Sequence, residues 1–214
     1  MKIRTKRILM SLCGVIICAI AVGAFKLAAF GVDPFQSLMS GLDCLIPIDF
    51  GTLYVIVNAV LLLFSIAFNR HMIGIATFIN LFLLGYITQF TYDLLQKAMP
   101  DPSIAARLIC LAIAIVVICI GSALYMTADL GVSTYDAVAI TMTYKWRLGK
   151  FKHIRIATDC VCVILGVVCF LLSGGKWSGI GAVVGFATII TAFFMGPLIS
   201  FFNHKIARPM LGEK

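Results

Sequence analysis

The sequence predicts an all-α, polytopic membrane protein with about six transmembrane helices and two short re-entrant helices. Three observations support this fold class. The chain of 214 residues is 62% hydrophobic and only 12% charged, with a mean hydropathy of +1.08. Its apolar residues form long runs, and a polar motif that follows one run recurs after another. A soluble domain needs more polar surface, so we expect one integral membrane domain over residues 1–214, with the lipid bilayer as partner.

Six apolar runs are long enough to cross a hydrocarbon layer of about 30 Å as helices. They lie at about 8–30, 51–69, 72–93, 107–128, 156–173 and 179–202. The first run follows a basic start and resembles a secretory signal. We interpret it as a span, because a matching run at 107–128 precedes the second copy of the motif.

The motif at Gly31 is predicted to end one helix and to begin another. Asp33 is a capping carboxylate, and Pro34 stands at the first helical position, where its missing N–H costs nothing. The helix that begins there, at about 34–45, reaches only about 18 Å and is too short to cross the membrane. We therefore expect a re-entrant helix.

The motif at Gly131 predicts a second re-entrant helix at about 134–145. Here Ser133 and Asp136 have the spacing of a capping box, in which an acid follows the capping serine by three residues. Tyr135 lies between them, at the start of the helix.

A second pair of matching stretches, 74–77 and 185–188, indicates an internal duplication. We place repeat 1 at about 8–97 and repeat 2 at about 103–203, with cytoplasmic tails at both ends. Each repeat has three spans and one re-entrant helix. Because three is an odd number, we expect the copies to be inverted relative to each other, as in many secondary transporters.

The basic residues predict that both termini lie in the cytoplasm. With six spans, most of the 17 Lys and Arg residues fall on the side of the N-terminus, which the positive-inside rule makes cytoplasmic. An eight-span alternative moves Lys97 and Arg107 inside and Arg70 outside, and its bias is marginally stronger. Charge leaves both topologies open, and the length of the short helices favours six. Since orientation accounts for the basic residues, we expect no nucleic-acid partner.

We predict no cofactor, no metal site and no catalytic residue. All cysteines except Cys44 lie in apolar spans, where free cysteine packs as a small apolar residue. The sequence has no nucleophile elbow, no histidine pair at metal spacing, no phosphate-binding glycine loop and no paired carboxylates. An enzyme is therefore not expected.

The motifs resemble the YczE/YyaS/YitT family of uncharacterised bacterial membrane proteins, and most of all its YczE branch. The residues that carry the resemblance are Gly31, Pro34, Phe35 and Gln36, followed by Gly185, Thr188, Gly196 and Pro197. The resemblance implies a multi-pass protein of the bacterial cytoplasmic membrane and brings no established activity with it. The second motif departs from the pattern, with Thr134 in place of Pro34 and Asp136 in place of Gln36.

Eight residues are candidates for binding a substrate or for coupling transport to an ion. They are Asp33, Pro34, Gln36, Asn58, Ser133, Tyr135, Asp136 and Asp159. An acid inside a span, such as Asp159, is a functional hypothesis by default, although an ion pair with Arg155 is an alternative. Asp33 and Asp136 can equally be helix caps, and Asn58 can join two helices by a hydrogen bond.

These patterns favour a secondary transporter or exporter of an unidentified small solute. A homodimer is one arrangement, because 214 residues enclose little space. The positive N-terminal ends of the short helices are expected to approach a shared cavity, which suits an anionic or carbonyl-bearing solute. The alternatives are a substrate-capture or accessory membrane subunit of a larger complex, and a membrane sensor or assembly factor.

Overall fold

The computed structural model describes residues 3–149 and 151–212, without the side chains of residues 151–152, 192–193 and 196. Helices make up almost all of this part of the chain. They are α1 (Ile3–Ala28), α2 (Pro34–Leu45), α3 (Phe50–Asn69), α4 (Ile75–Ala98), α5 (Ile104–Thr127), α6 (Thr134–Ile140), α7 (Phe151–Leu172), α8 (Ile180–Val183), α9 (Phe186–Phe202) and α10 (Arg208–Leu211). A π-helical turn extends α6 to Lys145, so both predicted short helices have the expected bounds.

Five described helices, α1, α3, α4, α5 and α7, are long and apolar enough to cross a membrane. The protein is therefore an all-α polytopic membrane protein, as predicted. The sixth predicted span begins later than expected, because the chain between Lys176 and Gly185 forms a 3-10 turn, the short helix α8 and an extended residue. α9 itself has 17 residues and continues through a π-helical turn into α10, at the lower limit of a spanning helix.

The helices α1 and α5 form an antiparallel pair at the centre of the bundle. At one end, the Nε atom of Arg107 at the start of α5 donates to the carbonyl of Ala28 at the end of α1, over 2.7 Å. At the other end, Arg7 of α1 lies 3.7 Å from the Asp129 carboxylate that follows α5. The two arginines occupy matching positions in their helices, and each contacts the end of the other helix.

Both central helices end in a residue with left-handed backbone geometry. Ala29 has a φ of +53° and Asp129 a φ of +50°. The sequence predicts that the glycines end these helices, but each glycine lies two residues further on. α1 and α5 thus end in the same way, at matching positions.

Each short helix packs on a long helix from the other half of the chain. α2 lies against α7 so closely that a Cβ on Gly41 would lie 2.1 Å from the carbonyl oxygen of Gly166. α6 lies against α3, where the Thr134 hydroxyl donates to Asn58. The halves are therefore interlocked rather than side by side.

Candidate functional site

The first motif begins α2 in the way that its sequence predicts. The Oδ1 atom of Asp33 accepts hydrogen bonds from the backbone N–H groups of Phe35, over 3.1 Å, and of Gln36, over 3.2 Å. Pro34 occupies the first turn. The cap satisfies two of the donors that a helix start leaves without a partner.

The second motif begins α6 with the predicted serine and acid. The Oγ atom of Ser133 accepts from the backbone N–H of Asp136 over 3.1 Å and donates to its carboxylate over 2.7 Å. Thr134 stands where the first motif has proline, and its hydroxyl donates to the Oδ1 atom of Asn58 over 2.5 Å.

The first motif docks against the second matching stretch, which lies in the other half of the chain. The carbonyl of Phe30 accepts from the N–H of Ala187 over 2.8 Å. A Cβ on Gly31 would lie 2.3 Å from the backbone nitrogen of Gly185. Gly31 also has a φ of +94°, which favours glycine. Both the space and the backbone conformation thus require a glycine here.

The second motif docks in the same manner on the stretch that begins at Gly74. The carbonyl of Leu130 accepts from the N–H of Ala76 over 3.1 Å. A Cβ on Gly131 would lie 2.5 Å from the nitrogen of Gly74, and the φ of Gly131 is +112°. The four matching stretches therefore pair crosswise, each motif with the glycine stretch of the opposite half.

The starts of the two short helices meet at one place. The rings of Phe35 and Tyr135 are stacked, with centroids 5.0 Å apart and planes at 21°. The ring of Tyr54 approaches Phe35 edge-on, at 6.0 Å. All three residues are buried in one apolar cluster. The two helix starts thus meet in a packed cluster of rings, and neither of the two cavities described below is lined by Phe35 or Tyr135.

A charged cluster lies beside the stacked rings. The Arg155 guanidinium on α7 forms an ion pair with Asp136 and a second one with Asp159, at 3.3 Å. The Tyr135 hydroxyl donates to Asp159 over 2.5 Å, and the guanidinium carbon lies 4.5 Å from the centre of the Tyr135 ring. We call Phe35, Tyr135, Asp136, Arg155 and Asp159 together the junction.

The junction contains more acidic than basic groups. Arg155 carries one positive charge and faces two carboxylates, so the ionised cluster has a net charge of about −1. The Asp33 carboxylate is also within electrostatic range of Arg155 and Asp159. The charged side chains of Arg155, Asp136 and Asp159 are between 25% and 36% exposed.

Of the eight candidates from the sequence, Tyr135, Asp136 and Asp159 lie in the junction. Asp33, Pro34 and Ser133 form the helix starts that lead to it. Asn58 is buried, and its amide is satisfied by Thr134 and by the carbonyl of Tyr54, so it joins helices rather than facing a solute. Gln36 is 5% exposed, and its buried Oε1 atom has no hydrogen-bond partner among the described residues.

Arg155 is the member of the charged cluster that the list of candidates lacks. The sequence contains a signal for it, since Arg155 and Asp159 are four residues apart on one helix face and such residues are neighbours. The contact with Asp136 joins α7 to α6, and no local pattern predicts it.

Two cavities lie near opposite ends of the bundle. One, of about 400 Å³, is beside the ends of α1 and α2 and is lined in part by Lys26, Asp43 and Tyr92. The Lys26 ammonium lies 3.4 Å from the Asp43 carboxylate. The other cavity, of about 310 Å³, is beside the ends of α5 and α9. No group of three or more potential metal ligands occurs among the residues that the structure describes.

The comparisons with known proteins identify the family of this chain. A family model described as a family of unknown function, DUF6198, matches residues 5–204. The chain belongs to this family. The predicted resemblance to YczE and YyaS is confirmed by similar sequences of both names.

Three curated relatives are similar over most of their length. An uncharacterised protein of Haemophilus influenzae is 27% identical over 90% of this chain and 81% of its own. The uncharacterised protein YyaS of Bacillus subtilis is 21% identical over 94% of both chains. The uncharacterised membrane protein YczE of the same organism is 24% identical over 91% of this chain and 88% of its own. No solved structure matches the chain.

Proposed function

We propose that this membrane protein is a secondary transporter or exporter of a small cationic solute, which binds at the junction. One observation carries the proposal. The two short helices begin at the same place, and beside their stacked rings Arg155 neutralises only one of two carboxylates. In transporters with broken helices, substrates and coupling ions bind where the ends of such helices meet.

An inverted repeat is supported by the central helix pair. α1 and α5 are the first helices of the two proposed repeats, and they run antiparallel. Arg7 and Arg107, which match in the two repeats, contact opposite ends of this helix pair. A two-fold axis in the membrane plane requires such an arrangement. The crosswise docking of the motifs follows the same symmetry.

The re-entrant character of α2 and α6 is supported by where their ends lie. Asp43 near the end of α2 contacts Lys26 near the end of α1. Lys145, at the end of the turn that follows α6, donates to the carbonyl of Phe68 near the end of α3. In the six-span topology these two places face opposite sides of the membrane. We propose that the protein lies in the bacterial cytoplasmic membrane with both termini in the cytoplasm.

The charge of the junction determines the solute that we propose. A net charge of about −1 is expensive to move through a low-dielectric region unless a counterion neutralises it. Together with Arg155, one monovalent cation or one proton neutralises the two carboxylates of Asp136 and Asp159. We therefore propose exchange of a cationic solute for a proton, with the Tyr135 ring as a further surface for the cation. The anionic solute that the helix N-termini suggest is not favoured, because Asp136 and Asp159 also face this place.

The first half of the chain provides a matched control for the experiment. Tyr54 and Arg155 are both the fifth residue of their helices, α3 and α7, and Asn58 and Asp159 are both the ninth. Gln36 likewise matches Asp136. A triple variant, Asp136→Gln, Arg155→Tyr and Asp159→Asn, gives the second half the uncharged side chains of the first. We call it the neutral variant.

The proposal is tested in proteoliposomes with a pH gradient and an internal pH dye. The probes are tetramethylammonium, choline and guanidinium as cations, with methanesulfonate and gluconate as anions, because none of these crosses a bilayer readily in an uncharged form. We expect at least one cation to dissipate the gradient through the natural protein and none to do so through the neutral variant. Dissipation by an anion alone, or equal activity of the neutral variant, contradicts the proposal. A transport-silent protein that copurifies with an energising partner favours the alternative of a capture subunit.

A further inference from the structure

The cavity beside the ends of α5 and α9 is lined by apolar, polar and basic side chains. Its volume is about 310 Å³, and it is lined by Met126, Ile199, Ser200, Asn203, His204 and Arg208. Arg208, which lines the cavity, belongs to α10, and α10 packs in one apolar cluster with Met10 near the start of α1. The cavity therefore lies at the same end of the bundle as the start of α1. Apolar and basic side chains therefore share a recess at the N-terminal end of the bundle.

Within residues 3–149 and 151–212, no acidic side chain pairs with the basic residues of this cavity. The π-helical turn Asn203–Ala207 brings His204 and Arg208, four residues apart, towards one face of the helix. None of the six lining residues is acidic, and no carboxylate among the described residues pairs with Arg208. In the cavity at the other end, Lys26 is held by Asp43 at 3.4 Å. In the cavity beside α5 and α9, no described carboxylate thus competes with an external anion for Arg208 and His204.

A buried acceptor on Asn203, a residue that lines this cavity, also lacks a partner among the described residues. The Nδ2 atom of Asn203 donates to Thr127 over 3.0 Å, but its buried Oδ1 atom accepts no hydrogen bond within the described structure. A buried acceptor without a partner is costly, and it is usually satisfied by a ligand or by water. A ligand for this cavity therefore combines an anionic group with a hydroxyl donor and an apolar part that Met126 and Ile199 can cover.

We infer that this cavity binds the headgroup of an anionic phospholipid, with the phosphate at Arg208 and His204 and a headgroup hydroxyl at Asn203. Phosphatidylglycerol has the required chemistry, since its phosphodiester is anionic and its terminal glycerol supplies hydroxyl donors. Basic recesses between helices on the cytoplasmic side are known to suit such headgroups. The inference does not depend on the proposed transport function.

Native mass spectrometry of the full-length protein tests the inference. The protein is purified in maltoside micelles and mixed with phosphatidylglycerol, phosphatidylcholine or inorganic phosphate. We expect retention of phosphatidylglycerol over phosphatidylcholine. Arg208→Gln should weaken this retention about tenfold or more, because a hydrogen bond to a charged group is lost. Arg208→Lys should restore much of it, and Lys176→Gln, an exposed site outside the cavity, should leave it unchanged.

Thermal unfolding of the natural protein keeps the inference testable even where a variant does not fold. Phosphatidylglycerol should raise the unfolding midpoint more than phosphatidylcholine does. Equal midpoints with the two lipids, or equal retention by Arg208→Gln, would overturn the inference. Inorganic phosphate that displaces phosphatidylglycerol and raises the midpoint by itself would identify a site for free phosphate and would overturn the lipid as its source.

Discussion

The crosswise docking of the motifs predicts a graded response to adding one methyl group at four glycines. In Gly31→Ala the new Cβ would lie 2.3 Å from the backbone nitrogen of Gly185, at a φ of +94°. The left-handed conformation costs an alanine about 1–2 kcal/mol, and overpacking against backbone costs about 1–3 kcal/mol. We expect the free energy of unfolding to fall by about 2–5 kcal/mol in total.

The other three glycines separate the two contributions. Gly174 has a φ of +86° and open space around its Cβ position, so Gly174→Ala should show the conformational cost alone. Gly185→Ala should show the packing cost alone, because a Cβ there would lie 2.3 Å from the carbonyl of Phe30 and its φ is not left-handed. Gly131→Ala should match Gly31→Ala, since its Cβ would lie 2.5 Å from Gly74 at a φ of +112°.

The assay is unfolding by dodecyl sulphate in mixed micelles, followed by circular dichroism. Every Gly→Ala change also reduces the entropy of the unfolded chain by a similar amount, so the differences between variants report on the docking. Gly31→Ala that is no more destabilising than Gly174→Ala would refute the crosswise arrangement. A large effect at Gly31 with none at Gly131 would refute its symmetry.

Three further predictions concern the second motif and the topology. Asp136→Asn should lower the free energy of unfolding by about 0.5–2 kcal/mol, from the loss of a charge at a helix start and of the ion pair with Arg155. It should also abolish proton-driven solute movement in proteoliposomes; normal transport by this variant would make the acid purely architectural. Ser133→Ala should cost a similar amount of stability, about 1 kcal/mol, with transport retained. The last prediction uses single cysteines in a cysteine-free background, at the exposed positions 70 and 97. The cysteine at position 70 should react with an impermeant maleimide only after the cells are opened, whereas the one at position 97 should react in intact cells. Reaction at position 70 in intact cells would favour eight spans.

The sequence predicts well those features that depend on neighbours along the chain. The start of α2 at Pro34 and the capping serine and acid of α6 follow from residues within three positions of each other. The long apolar helices follow from composition. The start of the last span is wrong by several residues, because the stretch before Gly185 is apolar but adopts a broken conformation. Hydropathy does not distinguish a continuous helix from two pieces joined at a glycine.

The features that the sequence does not predict depend on contacts between distant segments. The matching glycine stretches are visible as a repeat, but their crosswise docking requires the positions of α1 and α5. The expectation of an anionic solute rests on helix dipoles alone. The proposal of a cationic solute rests on the convergence of Asp136 and Asp159 on one guanidinium, since full charges outweigh the partial charge of a helix start.

The difference between the two halves argues that the charges at the junction serve a function. In the first half, α2 begins, caps and docks with Phe35, Gln36 and Tyr54 at the positions where the second half has Tyr135, Asp136 and Arg155. The first half therefore shows that a helix start of this kind forms with one acid, Asp33, and without a cluster like that of Asp136, Arg155 and Asp159. Ionic groups within a spanning segment are costly, and the contact between α6 and α7 accounts for Asp136 and Arg155 only in part. A role in binding or coupling gives a further reason for the cluster, and the neutral variant measures it: the fold should persist without these charges, and transport should not.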